Sequence, residues 1–462
     1  MGNDQARKRA GGRHVGEVLP LREKAGYGFG DFGFNLYWAN ISAFLLIFYT
    51  DVMGLAAAAV GTMMLVTKVV DAITDPLVGA LADRTRTRWG RFRPYLLFGA
   101  VPLAVCGVLT WTVPDLDPDG KLLWAYATFT LMMLAYTVLA MPYSALSGVM
   151  TADSQQRTTL ISFRFIAAFT GTTVVNWLTL DLVGWLGRGD EALGWQLTLG
   201  LYGVIAAATF ATVFLTTRER ISPPPLQRSA VKQDVADLLH NRPWLVLFVL
   251  ALVIMVTIVM RSGSLVYYMK YYLVRPELTG TFLGVYSVAL AVGAALTPVM
   301  TRYVDKRRLM MWLMAGVGVL SCAMYFVPPD AIWLLFGINT AIGLLLGPKS
   351  PLAFSMYADC ADYTEWKTGR RATAMTFAAA TFSQKLGGAL ATAAIAWMLA
   401  ALGYVANEAQ SDASQQGIAL LLTVIPGIVA LLAAGVMHFY PLDDTALESV
   451  QRDLRARRDQ AA

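Results

Sequence analysis

Charged residues are scarce in this sequence of 462 amino acids. Asp, Glu, Lys and Arg together make up 15% of the chain, whereas hydrophobic residues make up 56%. In soluble globular domains, about a quarter of the residues are charged. One transmembrane helix needs roughly 20 apolar residues, so a chain of this length has room for about twelve. The composition excludes a soluble enzyme with a single anchor and predicts a polytopic membrane protein.

The sequence also has few of the residues that build disulfides, metal centres and catalytic pairs. Its three cysteines, Cys106, Cys322 and Cys360, have neither paired nor metal-type spacing. Its three histidines lie in a tail, in a linker and at a span end, which disfavours a histidine-based intramembrane hydrolase. A G-x-G-x-x-G pattern at 28–33 follows no predicted strand, and no ATPase motif occurs. We therefore predict no cofactor, no enzymatic activity and no ATP-driven step.

Long apolar runs dominate what is present. They lie at 28–50, 57–82, 94–113, 122–148, 159–186, 195–217, 244–272, 279–301, 309–327, 331–357, 373–402 and 415–439. After the sixth run, a charged segment leads into Pro223, Pro224 and Pro225, which is typical of a linker. The predicted fold class is an all-α membrane protein with 12 transmembrane helices. Its predicted parts are a tail at 1–26, a six-helix bundle at 27–217, a linker at 218–243, a second bundle at 244–440 and a tail at 441–462.

Lysine and arginine are distributed unevenly between the loops. Most of the 37 lie in the two tails, the linker and every second loop, whereas the alternate loops hold few and carry Asp115, Asp117 and Asp119. Cytoplasmic loops of membrane proteins are enriched in Lys and Arg. The pattern predicts a multi-pass protein of the cytoplasmic (inner) membrane with both termini in the cytoplasm. It attributes the net charge of +6 to topology, which argues against a nucleic-acid partner.

Ten charged residues remain inside the predicted spans. An intramembrane charge costs several kcal/mol unless it is paired, hydrated or facing a cavity. Lys270, Asp31 and Asp181 lie near span ends and are interpreted as snorkelling side chains or structural ion pairs. The others predict a water-filled cavity; they are Lys68, Asp71, Asp75, Arg164, Arg261, Lys349 and Lys385.

Two of these carboxylates, Asp71 and Asp75, stand one helical turn apart, and Lys68 precedes them on the same face. Two carboxylates in a low-dielectric site do not both ionise without compensation, so either a cation lies between them or one takes a proton. The spacing therefore predicts a site for Na⁺ or H⁺, with further oxygens from Thr74 or Thr137. The alternative is a structural pair of Lys68 with Asp71, which leaves Asp75 without a partner.

The cationic residues predict what the cavity binds. Arg164, Arg261, Lys349 and Lys385 lie in four different spans, and Arg and Lys both bind carboxylates. Prolines at 348 and 351 interrupt the helix beside Lys349, and membrane proteins tolerate such breaks mainly beside a cavity. If the cations converge, the cavity suits an acidic sugar. Aromatic residues that could stack on a sugar ring are Tyr37, Trp38, Tyr136 and Tyr143.

Four segments resemble motifs of the glycoside–pentoside–hexuronide:cation symporter family: Tyr49–Asp51, Asp71–Pro76, Asp83–Pro94 and Asp359–Arg371. The similarity covers essentially the whole chain. It implies the major facilitator fold, in which two six-helix bundles rock around a central site. It also implies cation-coupled symport of a sugar, glycoside or uronide by alternating access.

The resemblance implies roles for individual residues as well. Asp71, Asp75 and Thr137 fall on the family's cation site, and Lys385 falls on the lysine that couples this site to the sugar. Positions of the sugar cavity are Arg164, Tyr136 and Thr381. Residues assigned to coupling or gating are Lys68, Lys385, Asp83, Arg84, Arg91, Asp359, Asp362 and Arg370.

The chain departs from melibiose permease, a member of this family, at positions that affect specificity. Asn35 and Ala140 stand where that permease grips a galactoside with acidic residues, and Ser144 stands where it has tryptophan. Thr74 replaces the asparagine beside the cation site, which leaves both Na⁺ and H⁺ open as coupling ions. We therefore expect a cargo other than a galactoside. Its expected contacts are Asn35, Trp38, Tyr136, Ser144, Arg164, Arg261, Lys349, Thr381 and Lys385.

Other functions share parts of this pattern. A carrier of lysolipids or other amphiphiles on the same fold would need a headgroup site, for which Arg261 and Lys349 are candidates. A membrane-embedded enzyme would need a nucleophile–base pair, and a transport-like sensor would need a signalling segment in its tails; neither is recognisable. The expected partners are a small sugar or acidic sugar and the lipid bilayer, with no obligate protein partner.

Overall fold

The protein is helical throughout the part that its computed structural model describes, residues 19–151, 154–220, 239–369 and 373–461. Within these ranges the sole β-type pairing is an isolated bridge between Thr87 and Gly90. A helix satisfies every backbone N–H and C=O group of an apolar segment internally, which a membrane requires. The all-α prediction is confirmed.

The first half of the chain, as far as it is described, consists of six long helical segments. α1 (Leu21–Ala43) bends by 55° and continues as Leu45–Val52. Side-chain caps fix where helices begin, since the Asp117 and Asp190 carboxylates accept hydrogen bonds from backbone N–H groups of the first turn. The other helices are α2 (Ala57–Arg84), α3 (Arg93–Thr110), α4 (Pro118–Met150), α5 (Ser154–Gly187) and α6 (Glu191–Thr216).

The second half, residues 239–461, has the same general plan with more interruptions. Its helices are α7 (Arg242–Tyr267), α8 (Thr279–Met300), α9 (Lys306–Met324), α10 (Ile332–Leu346), α11 (Lys349–Thr368), α12 (Thr373–Ala401), α13 (Asp412–Leu422), α14 (Val424–His438) and α15 (Asp444–Ala461). α10 with α11, and α13 with α14, each take the place of one predicted run. α15 follows the last predicted span.

The predicted runs all contain helix, but the count of twelve spans is not fully reproduced. Among the described residues, ten helices are long and apolar enough to cross a membrane, or eleven if the bent α1 counts as one span. The remaining run forms α12, which carries Ser383, Gln384 and Lys385. These polar side chains make α12 less apolar than a simple lipid-embedded helix. Their contacts with other helices are therefore of interest for the functional site.

Two hydrophobic cores show how the halves are joined. We refer to the helix ends on the side of Leu21 as the inner side and to the opposite ends as the outer side. One core runs through the first half and continues into outer parts of the second half, including Val259–Leu273 and Ala391–Leu399. The other core lies within the second half and includes Trp244–Ile254 and Leu309–Val317. The two halves therefore share apolar packing on the outer side.

Candidate functional site

The predicted cation site lies between helices α2 and α4. Asp71 and Asp75 stand one turn apart on α2, and Thr137 on α4 faces them. The Thr137 hydroxyl oxygen lies 2.6 Å from Asp71 Oδ1 and 3.2 Å from Asp75 Oδ1. A hydroxyl donates one proton, so it bonds one carboxylate at a time and its lone pairs remain available to a cation. Asp71 is 2% exposed, so its carboxylate is buried.

The second half of the chain completes this site with Lys385 from α12. The ammonium nitrogen of Lys385 donates to Asp71 Oδ2 at 3.0 Å and also to Asp75 Oδ2. One ammonium thus bridges both carboxylates and links α2 to α12 across the two halves. The side chains of Lys385 and Asp75 are 20% and 18% exposed, so one side of the site is open to solvent.

The structure separates the alternatives that the sequence left for Lys68 and Thr74. Lys68 does not pair with Asp71 and forms no ion pair within the described residues; its ammonium lies 4.5 Å from the ring centroid of Trp38. Thr74 donates its hydroxyl to the Asp71 backbone carbonyl at 3.0 Å, so it is turned toward its own helix. Of the two predicted threonines, Thr137 is the one that contacts the carboxylates.

The predicted polar sugar contacts differ in exposure and in the hydrogen bonds that they form. Tyr136 is half-buried, packs edge-on against Phe34, and its hydroxyl has no hydrogen bond within the described residues. Asn35 links α1 to α5, because it donates to the Asp31 carbonyl at 2.8 Å and accepts from a threonine at 3.1 Å. Ser144 and Thr381 are exposed, and Thr381 precedes Lys385 by one turn.

Arg164 is paired rather than free. Its Nε donates to Asp31 Oδ2, and its Nη2 lies 3.3 Å from Asp31 Oδ1. The Tyr143 hydroxyl lies 3.0 Å from the same carboxylate. Asp31 thus forms the kind of structural ion pair that the sequence analysis allowed for it. Because the Arg164 side chain is still 26% exposed, its remaining N–H groups stay accessible to a ligand.

Arg261, predicted as a substrate contact, is buried within the second half. The residue is 2% exposed, and its guanidinium donates to Ser321 Oγ at 3.1 Å, to Leu422 O at 3.2 Å and to Asn339 Oδ1 at 2.9 Å. These acceptors lie on α9, at the break between α13 and α14, and on α10. Pro426 lacks the N–H that would bond Leu422 O in a continuous helix. Arg261 therefore holds the core of the second half together, and its role as a substrate contact stays a prediction.

Lys349 begins α11, directly after the break that the sequence analysis predicted. α10 ends at Leu346, and Gly347 and Pro348 separate the two helices. The Lys349 side chain is partly exposed and forms no ion pair within the described residues. A lysine without a counter-charge inside a span marks a position where an anionic ligand is favourable.

The predicted gating loop of the first half is held by an acidic residue that the sequence analysis did not assign. Glu219 accepts hydrogen bonds from the backbone N–H groups of Arg91, Phe92 and Arg93 at 2.8, 2.8 and 3.1 Å. Arg84 is the exposed last residue of α2. The loop is thus tied to the segment after α6 by one carboxylate.

The second-half motif forms a comparable link. Asp359 on α11 accepts a hydrogen bond from the Lys306 ammonium at 2.7 Å, which ties α11 to the start of α9. Asp362 is half-buried on the same helix. The Asp83 side chain and Arg370 fall outside the described residues, so their predicted roles stay predictions.

Asp51 is a further acidic residue that the sequence analysis left without a role. It lies in the Tyr49–Asp51 motif, and its carboxylate accepts hydrogen bonds from residues more than 200 positions away in the chain. The Tyr49–Asp51 motif indicated that this segment has a role in the protein. Its partners could not be identified, because nothing in local spacing links them to it.

The chain has clear relatives. Residues 26–444 match the family model described as MFS/sugar transport protein. The chain belongs to this family. As its motifs predicted, it is a symporter-type transporter of the major facilitator superfamily and not an enzyme.

Individual relatives agree with this family over nearly the full length. The inner membrane symporter YicJ of Escherichia coli (strain K12) is 39% identical over 440 residues, which cover 95% of each chain. The isoprimeverose transporter of Lactiplantibacillus pentosus is 34% identical and covers 92% of this chain and 90% of that protein. The crystal structure of the nucleoside transporter NupG matches with a TM-score of 0.63 at 12% identity, covering 92% of this chain and all of that one, which supports the fold alone.

Proposed function

We propose that the protein takes up a sugar, glycoside or uronide by symport with Na⁺ or H⁺. The observation that carries this proposal is the carboxylate pair Asp71 and Asp75, contacted by Thr137 and bridged by Lys385. The charge of such a site depends on whether a cation is bound. Relatives support the functional class, since one is named a symporter and another an isoprimeverose transporter.

The site couples two ligands because Lys385 and the coupling ion use the same carboxylate oxygens. Without an ion, Lys385 compensates Asp71 and Asp75. When Na⁺ or H⁺ binds, the carboxylates no longer need the ammonium, and Lys385 turns toward the cavity. A sugar that accepts a hydrogen bond from the released ammonium then binds more tightly with the ion than without it. Reciprocal coupling of this kind is typically about 1–3 kcal/mol.

The sugar lies beside the cation site in this proposal. Trp38 offers an aromatic ring, and Lys68 sits over one of its faces. The Tyr136 hydroxyl and the exposed Ser144 and Thr381 supply hydrogen bonds that a sugar hydroxyl can accept or donate. These groups lie on α1, α2, α4 and α12, so a sugar that contacts them bridges the two halves.

We further propose that the cargo carries a carboxylate. The two carboxylates of the cation site are matched in charge by Lys385 and Lys68, so binding of Na⁺ adds one positive charge to a low-dielectric region. A carboxylate on the sugar balances that charge. Lys349 supports this assignment, because it lies in a span without an acidic partner among the described residues.

We propose that the protein lies in the inner membrane with both termini in the cytoplasm. Transport in this proposal runs from outside the cell to the cytoplasm. The support is the clustering of Lys and Arg on the inner side, where Arg84, Arg91 and Lys306 lie with the start of α1. The inward gradient of the coupling ion then drives uptake.

Uptake into proteoliposomes tests these proposals. The purified protein is given a panel of neutral and uronic mono- and disaccharides, and lysolipids, under imposed Na⁺ or H⁺ gradients. We expect accumulation of a sugar with one of the two gradients, and stronger uptake of its uronic form. Asp71→Asn and Asp75→Asn should abolish accumulation and retain sugar exchange, because they remove the ion site and leave the sugar contacts in place.

The matched control is Asp181→Asn, which removes an exposed carboxylate from α5. This variant should accumulate sugar like the parent protein. Normal accumulation by both Asp71→Asn and Asp75→Asn would refute the cation site. Uptake of lysolipids in place of every sugar would favour the amphiphile carrier, and preference for neutral sugars would refute the acidic cargo.

A further inference from the structure

A second buried carboxylate cluster lies at the outer ends of α1 and α7. Asp51 belongs to the extension of α1, and its side chain is 2% exposed. It accepts a hydrogen bond from the Lys270 ammonium at 2.6 Å, and the hydroxyls of Tyr271 and Tyr404 also donate to it. Burial of a carboxylate is tolerated when such donors surround it. Forming this cluster therefore requires removing the Asp51 carboxylate from water, and the surrounding donors compensate for that cost.

All three of these donors come from the second half, whereas Asp51 belongs to the first. Asn407, on the connection between α12 and α13, adds two side-chain hydrogen bonds: it donates to the Asp51 backbone carbonyl at 2.6 Å and accepts from Lys270 at 2.7 Å. We refer to Asp51, Lys270, Tyr271, Tyr404 and Asn407 as the outer clamp. One first-half residue is thus held by two separate segments of the second half.

Both sides of the clamp are built from the same local structure. Phe48–Val52 and Tyr268–Tyr272 are π-helical turns at the ends of the α1 extension and α7. After each turn, the next backbone N–H bonds the carbonyl five residues back at 2.9 Å. Such turns are rare and occur frequently at functional sites. The repetition brings equivalent segments of the two halves together and places Asp51 against Lys270.

Close packing continues the contact between the halves below the clamp. A Cβ atom at Gly61 would lie 2.6 Å from Ala396 Cβ, and one at Gly284 would lie 2.6 Å from the Trp177 ring. Glycine therefore permits these approaches of α2 to α12 and of α5 to α8. A ring contact of Phe165 with Phe354, 5.7 Å between centroids, lies nearer the inner side. The clamp and these glycine contacts thus pack the two halves against each other on the outer side.

We propose that the outer clamp is the gate of the outer side. Its formation closes the route from outside, and opening requires Asp51 to leave all of its second-half partners and become hydrated. Because the carboxylate exchanges protein donors for water, the clamp sets how often the outward-open state is populated. The proposal concerns the movement of the halves and holds for any cargo and either coupling ion.

Thiol labelling from outside tests the gate without any transport measurement. The reporter is Ser262→Cys, in a background with Cys106→Ser, Cys322→Ser and Cys360→Ala. Ser262 is half-buried on α7, where its hydroxyl lies 3.5 Å from a first-half carbonyl. In right-side-out vesicles treated with a membrane-impermeant thiol reagent, Asp51→Asn or Lys270→Gln should raise the labelling rate about tenfold, as expected for loss of a coupling of ordinary size.

The matched control is Glu277→Gln, an exposed carboxylate near the clamp on the same side, which should leave the rate unchanged. Gel filtration and labelling by a permeant reagent in detergent identify variants that have failed to fold, and only folded variants are compared. Unchanged labelling in both folded clamp variants would overturn the proposal, as would an equal rise in Glu277→Gln. Because no sugar is present, failure of the symport proposal leaves this test unaffected.

Discussion

Among single residues, Thr137 gives the sharpest test of the cation site. Within the described residues its hydroxyl is the neutral side-chain group that lies close to both carboxylates. Thr137→Val keeps the side-chain shape and removes both an oxygen that can coordinate Na⁺ and a hydrogen bond to an ionised carboxylate. If the coupling ion is Na⁺, we expect the Na⁺ concentration for half-maximal uptake to rise about tenfold. If the ion is H⁺, loss of the donor favours the protonated carboxyl, so half-maximal uptake should move to higher pH. The measurement is sugar uptake as a function of Na⁺ concentration or pH.

Two variants control this comparison. Thr137→Ser retains the hydroxyl and should keep the cation dependence of the parent protein. Thr74→Val removes a hydroxyl that is bonded to its own helix, so it should have a much smaller effect. The reverse order, with Thr74→Val impaired and Thr137→Val normal, would show that the ion binds on the other side of α2.

How much of this site the sequence could predict depends on how far apart in the chain the contacting residues are. The facing of Asp71 and Asp75 follows from one helical turn and needs no tertiary information. The contact with Lys385 spans more than 300 residues, and only the family resemblance indicated it. The sequence predicted a structural ion pair for Asp31 but did not identify Arg164 as its partner, because helix order alone does not show which side chains meet.

At the level of helices, the break between α13 and α14 explains why a buried arginine is present. Arg261 donates to the Leu422 carbonyl, which Pro426 leaves without its helical partner. Arg261→Met should leave this carbonyl and the Ser321 and Asn339 oxygens short of donors, at about 1–3 kcal/mol each. We expect a clearly lower thermal midpoint of the detergent-solubilised protein, followed by tryptophan fluorescence.

A double-mutant cycle isolates the contribution of the break. Pro426→Ala restores an N–H that bonds Leu422 O, so Arg261→Met should cost less in that background than alone. Arg275→Met, which removes an exposed arginine from a loop, should change the midpoint little. Equal losses in both backgrounds would mean that Arg261 does not stabilise the break.

Helix positions were easier to predict than helix breaks. Every apolar run contains helix, because length and hydropathy alone favour a span. The interruption at Gly347–Pro348 was predicted from its prolines. The bend at Phe44 and the two π turns have no comparable residue signal. Phe44 packs against Trp195 and the π turns meet in the outer clamp, and local sequence does not describe such tertiary contacts.

For the whole molecule, the outer clamp and the cation site lie along the same seam between the halves. The clamp joins the halves through Asp51 and Lys270, and the cation site joins them through Asp75 and Lys385. Both contacts consist of a first-half carboxylate and a second-half ammonium. In the symport that we propose, ion binding would weaken the deeper contact directly and so lower the cost of separating the halves at the outer one. Under that proposal, the arrangement links occupancy of the ion site to the movement that alternating access requires.

That link predicts that the halves must separate on the outer side in every transport cycle. Asn176 on α5 donates to Ser287 on α8 at 2.7 Å, next to the closed part of the seam. In the cysteine-free background, Asn176→Cys with Ser287→Cys, joined by a short reducible thiol cross-linker, should stop uptake, and reductant should restore it. Trp366→Cys with Asp453→Cys, which joins α11 to α15 within the second half, should remain active when cross-linked. Continued uptake by the fully cross-linked seam pair would show that transport does not need this face to open.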